Sequence, residues 1–216
     1  MNRREFSAAT AIVLGAAALG VPQLALAQRK LQEGKDFRAL GNRVPVEAPA
    51  GKIEVVEFFW YACPHCNAFE PQLNAWLKKL PPDVSFRRVP VAFRDDFVPQ
   101  QRLYYTLEAM GKVEDLHSKV FHEIHVNKQP TNREDLILAF VEKNGVDKAK
   151  FQELYNSFAI SNKARRARQL QDQYEVDGVP ALGIAGQYYT DGTMAGNMDR
   201  ALQIVDYLVA QARTGK

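Results

Sequence analysis

Cysteine is almost missing: only two occur in 216 residues, Cys63 and Cys66, both within one Cys-x-x-Cys. No disulfide framework can therefore staple the fold, and a closed zinc site, which wants four ligands, lacks further thiolates. An excess of one charge is missing too. With 28 Lys and Arg against 25 Asp and Glu, the formal charge is +3, and the exterior reads as mixed and solvated, not as a nucleic-acid surface. Long apolar runs are missing beyond the N-terminus, and no internal repeat or low-complexity tract occurs outside it. Residues 28–51 leave no room for an added N-terminal dimerisation domain.

What is present at the N-terminus reads as an export signal spanning residues 1–27. Arg3 and Arg4 form a basic start, Ala8–Leu19 is an apolar stretch too short to span a bilayer well, and Ala25-Leu26-Ala27 is a small-x-small cleavage site. Cleavage after Ala27 leaves Gln28 as the mature terminus. Arg3-Arg4-Glu5-Phe6 hints at twin-arginine export, with the general secretory route left open.

The chain is organised around residues 52–79. Ile53, Val55, Val56, Phe58, Phe59 and Trp60 form a β-branched and aromatic run suited to a strand covered on both faces. Cys63-Pro64-His65-Cys66 follows at once, then Phe69, Leu73, Trp76 and Leu77 at helical spacing. Pro64 fits the first helical turn. Cys63 falls at the helix N-cap and Cys66 one turn in. A thiolate at that tip meets unpaired N–H groups and the positive end of the dipole, and a protonated His65 adds to the effect. Stabilising the thiolate stabilises the dithiol, which makes the disulfide more oxidising.

Further along, Lys35–Leu40 is a short strand candidate, Leu80-Pro81-Pro82-Asp83 breaks the chain, and Val84–Phe93 reads as a second strand parallel to the first. From Arg94 to Asp177 only helices are expected: Gln100–Met110, Val113–Ile124, one opened by a Thr131–Glu134 capping box, one capped by Asp147, and Ser161–Tyr174. Pro180–Ala185 and Gln187–Tyr189 read as a hairpin turning at Ala185-Gly186, and Asn197 caps a final helix.

The order βαβ, a helical stretch, then ββα around a Cys-x-x-Cys resembles the thioredoxin fold. Together with the export signal, VVEFFWYA, Cys63-Pro64-His65-Cys66, Gly178-Val179-Pro180-Ala181 and Asn197-Met198-Asp199, the whole mature chain resembles the DsbA family of periplasmic thiol oxidants. The resemblance implies an α/β thioredoxin fold with an inserted all-helical domain: residues 28–93 and 178–216 form the thioredoxin-like part and 94–177 the insertion. It implies a monomer without cofactor that donates the Cys63–Cys66 disulfide to unfolded or partly folded exported proteins with free thiols. It also implies reoxidation by a quinone-linked membrane partner of the DsbB type. It makes Val179–Pro180 a cis peptide beside the cysteines, presenting backbone to a substrate chain.

Glu57 lies in a strand otherwise apolar on both faces, so burial raises its pKa and lets it exchange a proton with Cys66. The family has an acid at this spacing with a basic partner from the next strand, either Arg88 or Arg87 here. Trp60 and Tyr61 are candidates for an apolar recognition surface, with the strand core as the alternative. Pro71 is read as structural. Gly183 stands where relatives often carry a bulky residue, which loosens the strand or shapes the groove. His117, His122 and His125 are read as surface or cap histidines in preference to metal ligands. A reductase or isomerase, a peptide-binding chaperone and a metal carrier are the competing functions.

Overall fold

The computed structural model describes residues 30–214. Its sheet runs in the order β1-β5-β4-β2-β3, from β1 (Arg38–Ala39), β2 (Ile53–Phe59), β3 (Val84–Pro90), β4 (Ala181–Ile184) and β5 (Tyr188–Asp191). β2 is parallel to β3, in register Glu57 to Arg88, and antiparallel to β4, in register Glu57 to Leu182. As its β-branched and aromatic run requires, β2 is buried on both faces, with Glu54 and Glu57 enclosed among the apolar side chains.

Helix α1 (Pro64–Leu77) links β2 to β3. Five helices then separate β3 from β4: α2 (Val98–Ala109), α3 (Val113–His125), α4 (Glu134–Lys143), α5 (Lys148–Tyr155) and α6 (Phe158–Gln173). A short α7 (Gly192–Ala195) and α8 (Met198–Arg213) complete the fold. Two apolar clusters hold the layers. Val55, Phe69, Leu73, Leu182, Ile184, Ile204, Val205 and Leu208 join the sheet to α1 and α8. Val56, Phe58, Tyr174 and Tyr189 lie in the other, with Leu103, Val120, Ile137 and Phe151 from the helical segment.

Several boundaries differ from the sequence expectation for physical reasons. β3 stops at Pro90, not Phe93, because β2 has turned away into the cysteine loop. Val91 N–H still reaches Phe59 O at 2.9 Å, and the next amide, Ala92, donates to the Gln171 side chain at 3.0 Å instead. α6 begins at Phe158, three residues before Ser161, because the Ser157 hydroxyl caps it. The expected Thr131–Glu134 capping box does not form. Arg133 occupies the N-cap without a side-chain bond, and Thr131 Oγ1 accepts from buried Gln100 of α2 at 3.2 Å. A buried donor has the stronger claim on that hydroxyl than an exposed helix end.

The hairpin turns at Ala185-Gly186 as expected, both residues having positive φ (54° and 66°), the backbone that a two-residue turn of matching twist demands. Asn197 and Asp147 cap α8 and α5, accepting from Arg200 N at 2.8 Å and Lys150 N at 3.0 Å. Gly183 does not loosen its strand. The Tyr174 ring lies against its Cα, in the space where a Cβ would stand. The bulk missing from β4 is supplied by the end of α6.

Candidate active site

Cys63 is the N-cap of α1, with an extended backbone (φ −78°, ψ 118°), and Pro64 opens the helix behind it. Cys66 N–H donates to Cys63 Sγ at 3.4 Å, and the Cys63 thiol donates to Val179 O at 3.4 Å across the sheet edge. Val179–Pro180 is cis, with Val179 half-buried and Pro180 buried. Both cysteines are free thiols. Cys63 is less open than a helix tip suggests, at 7 % exposure, yet Cys66 is at 0 %. His65 is exposed beside them.

The two sulfurs are electrostatically unlike. A hydrogen bond from Cys66, aided by the N–H groups of Cys66 and His65 and by the His65 charge, outweighs burial and lowers the Cys63 pKa to about 6. Burial, then the neighbouring Cys63, pushes Cys66 well above the ordinary thiol range. Glu57 adds to that upward push.

Glu57 is fully buried on β2, and burial raises its pKa to about 8 despite Arg88. Of the two candidate partners, Arg88 is the one on its face. Arg88 Nε lies 3.0 Å from Glu57 Oε2 as a buried ion pair, and neither Glu57 oxygen has a partner beyond it. Arg87, one residue back, points to the opposite face and pairs with Glu54 at 2.8 Å. The alternation of a strand decides between them.

Arg88 is shared. Its second nitrogen reaches both oxygens of Glu70 at 3.4 Å and Asn74 Oδ1 at 3.3 Å. Burial pushes Glu70 upward, but bonds from His117 and Asn74 and the Arg88 charge bring it below the usual carboxylate value. Sequence reasoning missed Glu70. The signal was available, since Glu70 lies four residues after Cys66 and therefore on the same inward helical face.

Two expectations need correction. Tyr61 does not line a recognition surface: it is 1 % exposed, packed edge-on against Phe59 and Phe121. The apolar pocket between β2 and α3 is filled by its ring, and its hydroxyl finds a partner there. That partner is His117, which is not a surface or cap residue. His117 is buried, with Nδ1 2.9 Å from Tyr61 Oη and Nε2 3.3 Å from Glu70 Oε1. The four-residue spacing of His117, Phe121 and His125 puts all three on the face of α3 that meets Tyr61, and His125 Nε2 donates to Tyr61 O at 2.8 Å. His122 is exposed, as expected. Trp60 is half-buried and stacks on Phe97, with ring centroids 3.9 Å apart. No group of three metal-ligating side chains occurs among the described residues.

A buried dithiol with one acidified sulfur, a carboxyl group acting on the other and a carbonyl beside it can give up two electrons by closing to a disulfide and take them back by thiol–disulfide exchange. Comparisons with known proteins agree. The model of the DSBA-like thioredoxin domain matches residues 86–208. The thiol:disulfide interchange protein DsbA of Burkholderia cepacia is 42% identical over 183 residues, covering 85% of this chain and 86% of that protein. Its namesake from Azotobacter vinelandii is 40% identical over 199 residues, 92% of each chain. The crystal structure of Pseudomonas aeruginosa DsbA superposes with a TM-score of 0.82 at 41% identity, covering 86% of this chain and 96% of that one.

Proposed function

The chain belongs to the DsbA family of thiol:disulfide oxidoreductases, and from that premise we propose how its own residues carry out the exchange. In the oxidised protein a substrate thiolate attacks Cys63 Sγ. The Cys63–Cys66 bond breaks, Cys66 leaves with the electron pair, and a mixed disulfide joins the substrate to Cys63. Cys66 takes a proton from the carboxyl group of Glu57, which is buried like Cys66 and acts on it electrostatically. A second substrate thiolate then attacks the substrate sulfur of the mixed disulfide, and Cys63 departs as a thiolate. The substrate gains a disulfide and the enzyme keeps two electrons.

The observation that carries this reading is the unequal placement of the sulfurs: Cys63 caps α1 and accepts from the Cys66 N–H, while Cys66 is sealed one turn in, which lowers the first toward about 6 and pushes the second upward. Cys63 is therefore both the accessible electrophile of the oxidised form and the better leaving group of the mixed disulfide. His65 contributes charge to that thiolate, and Pro64 fixes the helix start. Val179 O, which accepts from the Cys63 thiol, is placed to position a bound chain. Half-buried Trp60 flanks the same loop as an apolar contact for substrate.

In this reading the protein is exported, is cleaved after Ala27, and acts in the periplasm on newly exported proteins with free thiols. The leader and its cleavage point lie outside the described residues. A quinone-linked membrane protein of the DsbB type would restore the disulfide, and the working form would be a monomer without cofactor.

The experiment is a redox titration of the Cys63/Cys66 pair against glutathione, with the Cys63 pKa followed by thiolate absorbance. The proposal expects the protein disulfide to be the stronger oxidant and Cys63 to titrate near pH 6. A disulfide harder to reduce than glutathione's, or a Cys63 that titrates as an ordinary thiol, would assign the reductase role instead.

A further inference from the structure

A single guanidinium stands between two buried carboxyl groups. Arg88 touches Glu57 at 3.0 Å and Glu70 at 3.4 Å, and its one positive charge cannot fully balance both if both are ionised. One of them must hold a proton more readily than the other. Arg88 alone would favour charge on Glu57, which it approaches more closely, so a preference for charge on Glu70 must come from the other contacts. The remaining buried polar contacts are unequal. Glu57 has no polar partner beyond that Arg88 ion pair, whereas Glu70 has His117 and Asn74 as well as Arg88.

The orientation of His117 follows from its two partners. An ionised Glu70 can only accept, so Nε2 carries the hydrogen, and Nδ1 accepts from the Tyr61 hydroxyl. Each ring nitrogen then has a complementary partner while the imidazole stays neutral. Burial, the first cause, disfavours the charged imidazolium, so that His117 is held below its usual value. The geometry points to His117, oriented by Tyr61, as a positioning residue that keeps Glu70 as the carboxylate and leaves the proton on Glu57. This inference rests on the role of Glu57 as the proton donor to Cys66.

The surroundings introduce no competing charge of similar closeness. Glu57 on β2 meets Arg88 from β3 and Glu70 from α1, and acts electrostatically on Cys66 of α1, Tyr61 and Tyr104 of α2. Glu70 meets Arg88, Asn74 and His117. His117 also feels Arg88 and, from its own helix, Glu114. Glu108 and Arg87 act on the neighbouring Tyr104 and Tyr105, and Lys78 lines the cleft beside Glu70. Glu70, His117, Arg88 and Asn74 line a solvent-open cleft of about 460 Å³ between α1 and α3, which exposes the Glu70 end of the network to water but not Glu57. Water there further favours the ionised form on Glu70.

The test follows the Glu57 carboxyl carbon by NMR in glutamate-labelled protein, its resonance assigned with Glu57→Gln. The double variant His117→Leu/Tyr61→Phe removes the ring donor without orphaning the tyrosine hydroxyl. Glu70 should then give up its charge more readily, and the Arg88 charge should shift to the service of Glu57. The expected result is a proton affinity of Glu57 about tenfold lower than in the wild type. His117→Gln, whose amide can donate to Glu70 and accept from Tyr61, should titrate like the wild type. Glu70→Gln, which retains the shape of the site, should lower the affinity as the double variant does, and serves if that variant fails to fold. An unchanged Glu57 titration in the double variant and in Glu70→Gln would overturn the inference, as would an equal fall in His117→Gln. Undiminished thiol oxidation in Glu57→Gln, with the Glu57 titration shifting across the other variants as expected, would instead count against the role of Glu57, so the two failures are distinguishable.

Discussion

His125 Nε2 donates to the carbonyl oxygen of Tyr61 at 2.8 Å, tying the last turn of α3 to the loop two residues ahead of Cys63. With His117 on the Tyr61 hydroxyl, one tyrosine is fixed to α3 by both its backbone and its ring. The helical segment therefore does more than cover the sheet: it sets the path by which β2 enters α1. His125→Ala should cost about 1 kcal/mol of global stability, as expected for one part-buried hydrogen bond. Hydrogen exchange should show faster opening confined to the Trp60–Cys63 turn. Unchanged exchange there would mean that the bond does not hold the turn.

The acidity of Cys63 predicts a particular pH dependence of redox equilibrium. The reduced protein near neutrality carries one thiolate and one thiol, so oxidising two glutathione molecules releases one proton. The equilibrium constant against glutathione should be flat below about pH 6 and rise about tenfold per pH unit between there and about pH 8. The stability linkage has the same sign. A thiol whose folded pKa is depressed from 9.0 to about 6 stabilises the reduced fold at high pH, and that contribution is lost as pH falls through about 6. Denaturation of the reduced and oxidised forms across this range checks both statements.

Glu57 predicts the opposite trend. Its folded pKa is raised from 4.5 to about 8, so the folded protein retains a proton that the unfolded chain has released. Between those values stability falls as pH rises. Glu57→Gln keeps the neutral shape at every pH. It should be close to neutral in effect near pH 4.5 and stabilising by up to about 4 kcal/mol near pH 8. Urea denaturation of both proteins at the two pH values measures the difference. An equal effect at both would show that Glu57 is not carrying a buried proton.

Gly183 and Tyr174 form a lock between β4 and the end of α6. A Cβ at position 183 would overlap the tyrosine ring, so Gly183→Ala should destabilise by about 1–3 kcal/mol. Because the damage lies in one contact, Tyr174→Leu should relieve part of it. A double-mutant cycle should give a coupling above about 0.5 kcal/mol. Additive single effects would mean that the ring moves aside freely.

The parts of this molecule that were readable from sequence are those set by local pattern. A largely β-branched and aromatic run marked β2, Cys63-Pro64 marked the cap of α1, and Ala185-Gly186 marked the hairpin turn. The reactive pair was legible because its chemistry is contained in four consecutive residues. The network behind it was not, since it joins β2, α1, β3 and α3 at separations of up to 56 residues. A single buried histidine looks like any other amphipathic-helix residue until α3 is docked. Tyr61 was misread for a similar reason: at the end of a strand, nothing local says whether an aromatic ring turns toward water or toward a neighbouring helix. Thr131 carried a correct local signal that a longer-range donor, Gln100, overrode.

Cys66 is wholly sealed while Cys63 keeps a narrow opening. A visiting polypeptide can therefore touch one sulfur only, and its covalent adduct always has the same regiochemistry. The inner sulfur remains in reserve as an intramolecular escape route: an adduct that stalls can be expelled by Cys66 turning back on Cys63, with no helper molecule required. Wrong or sluggish clients are thus released unaltered, and the disulfide is regenerated for the next encounter.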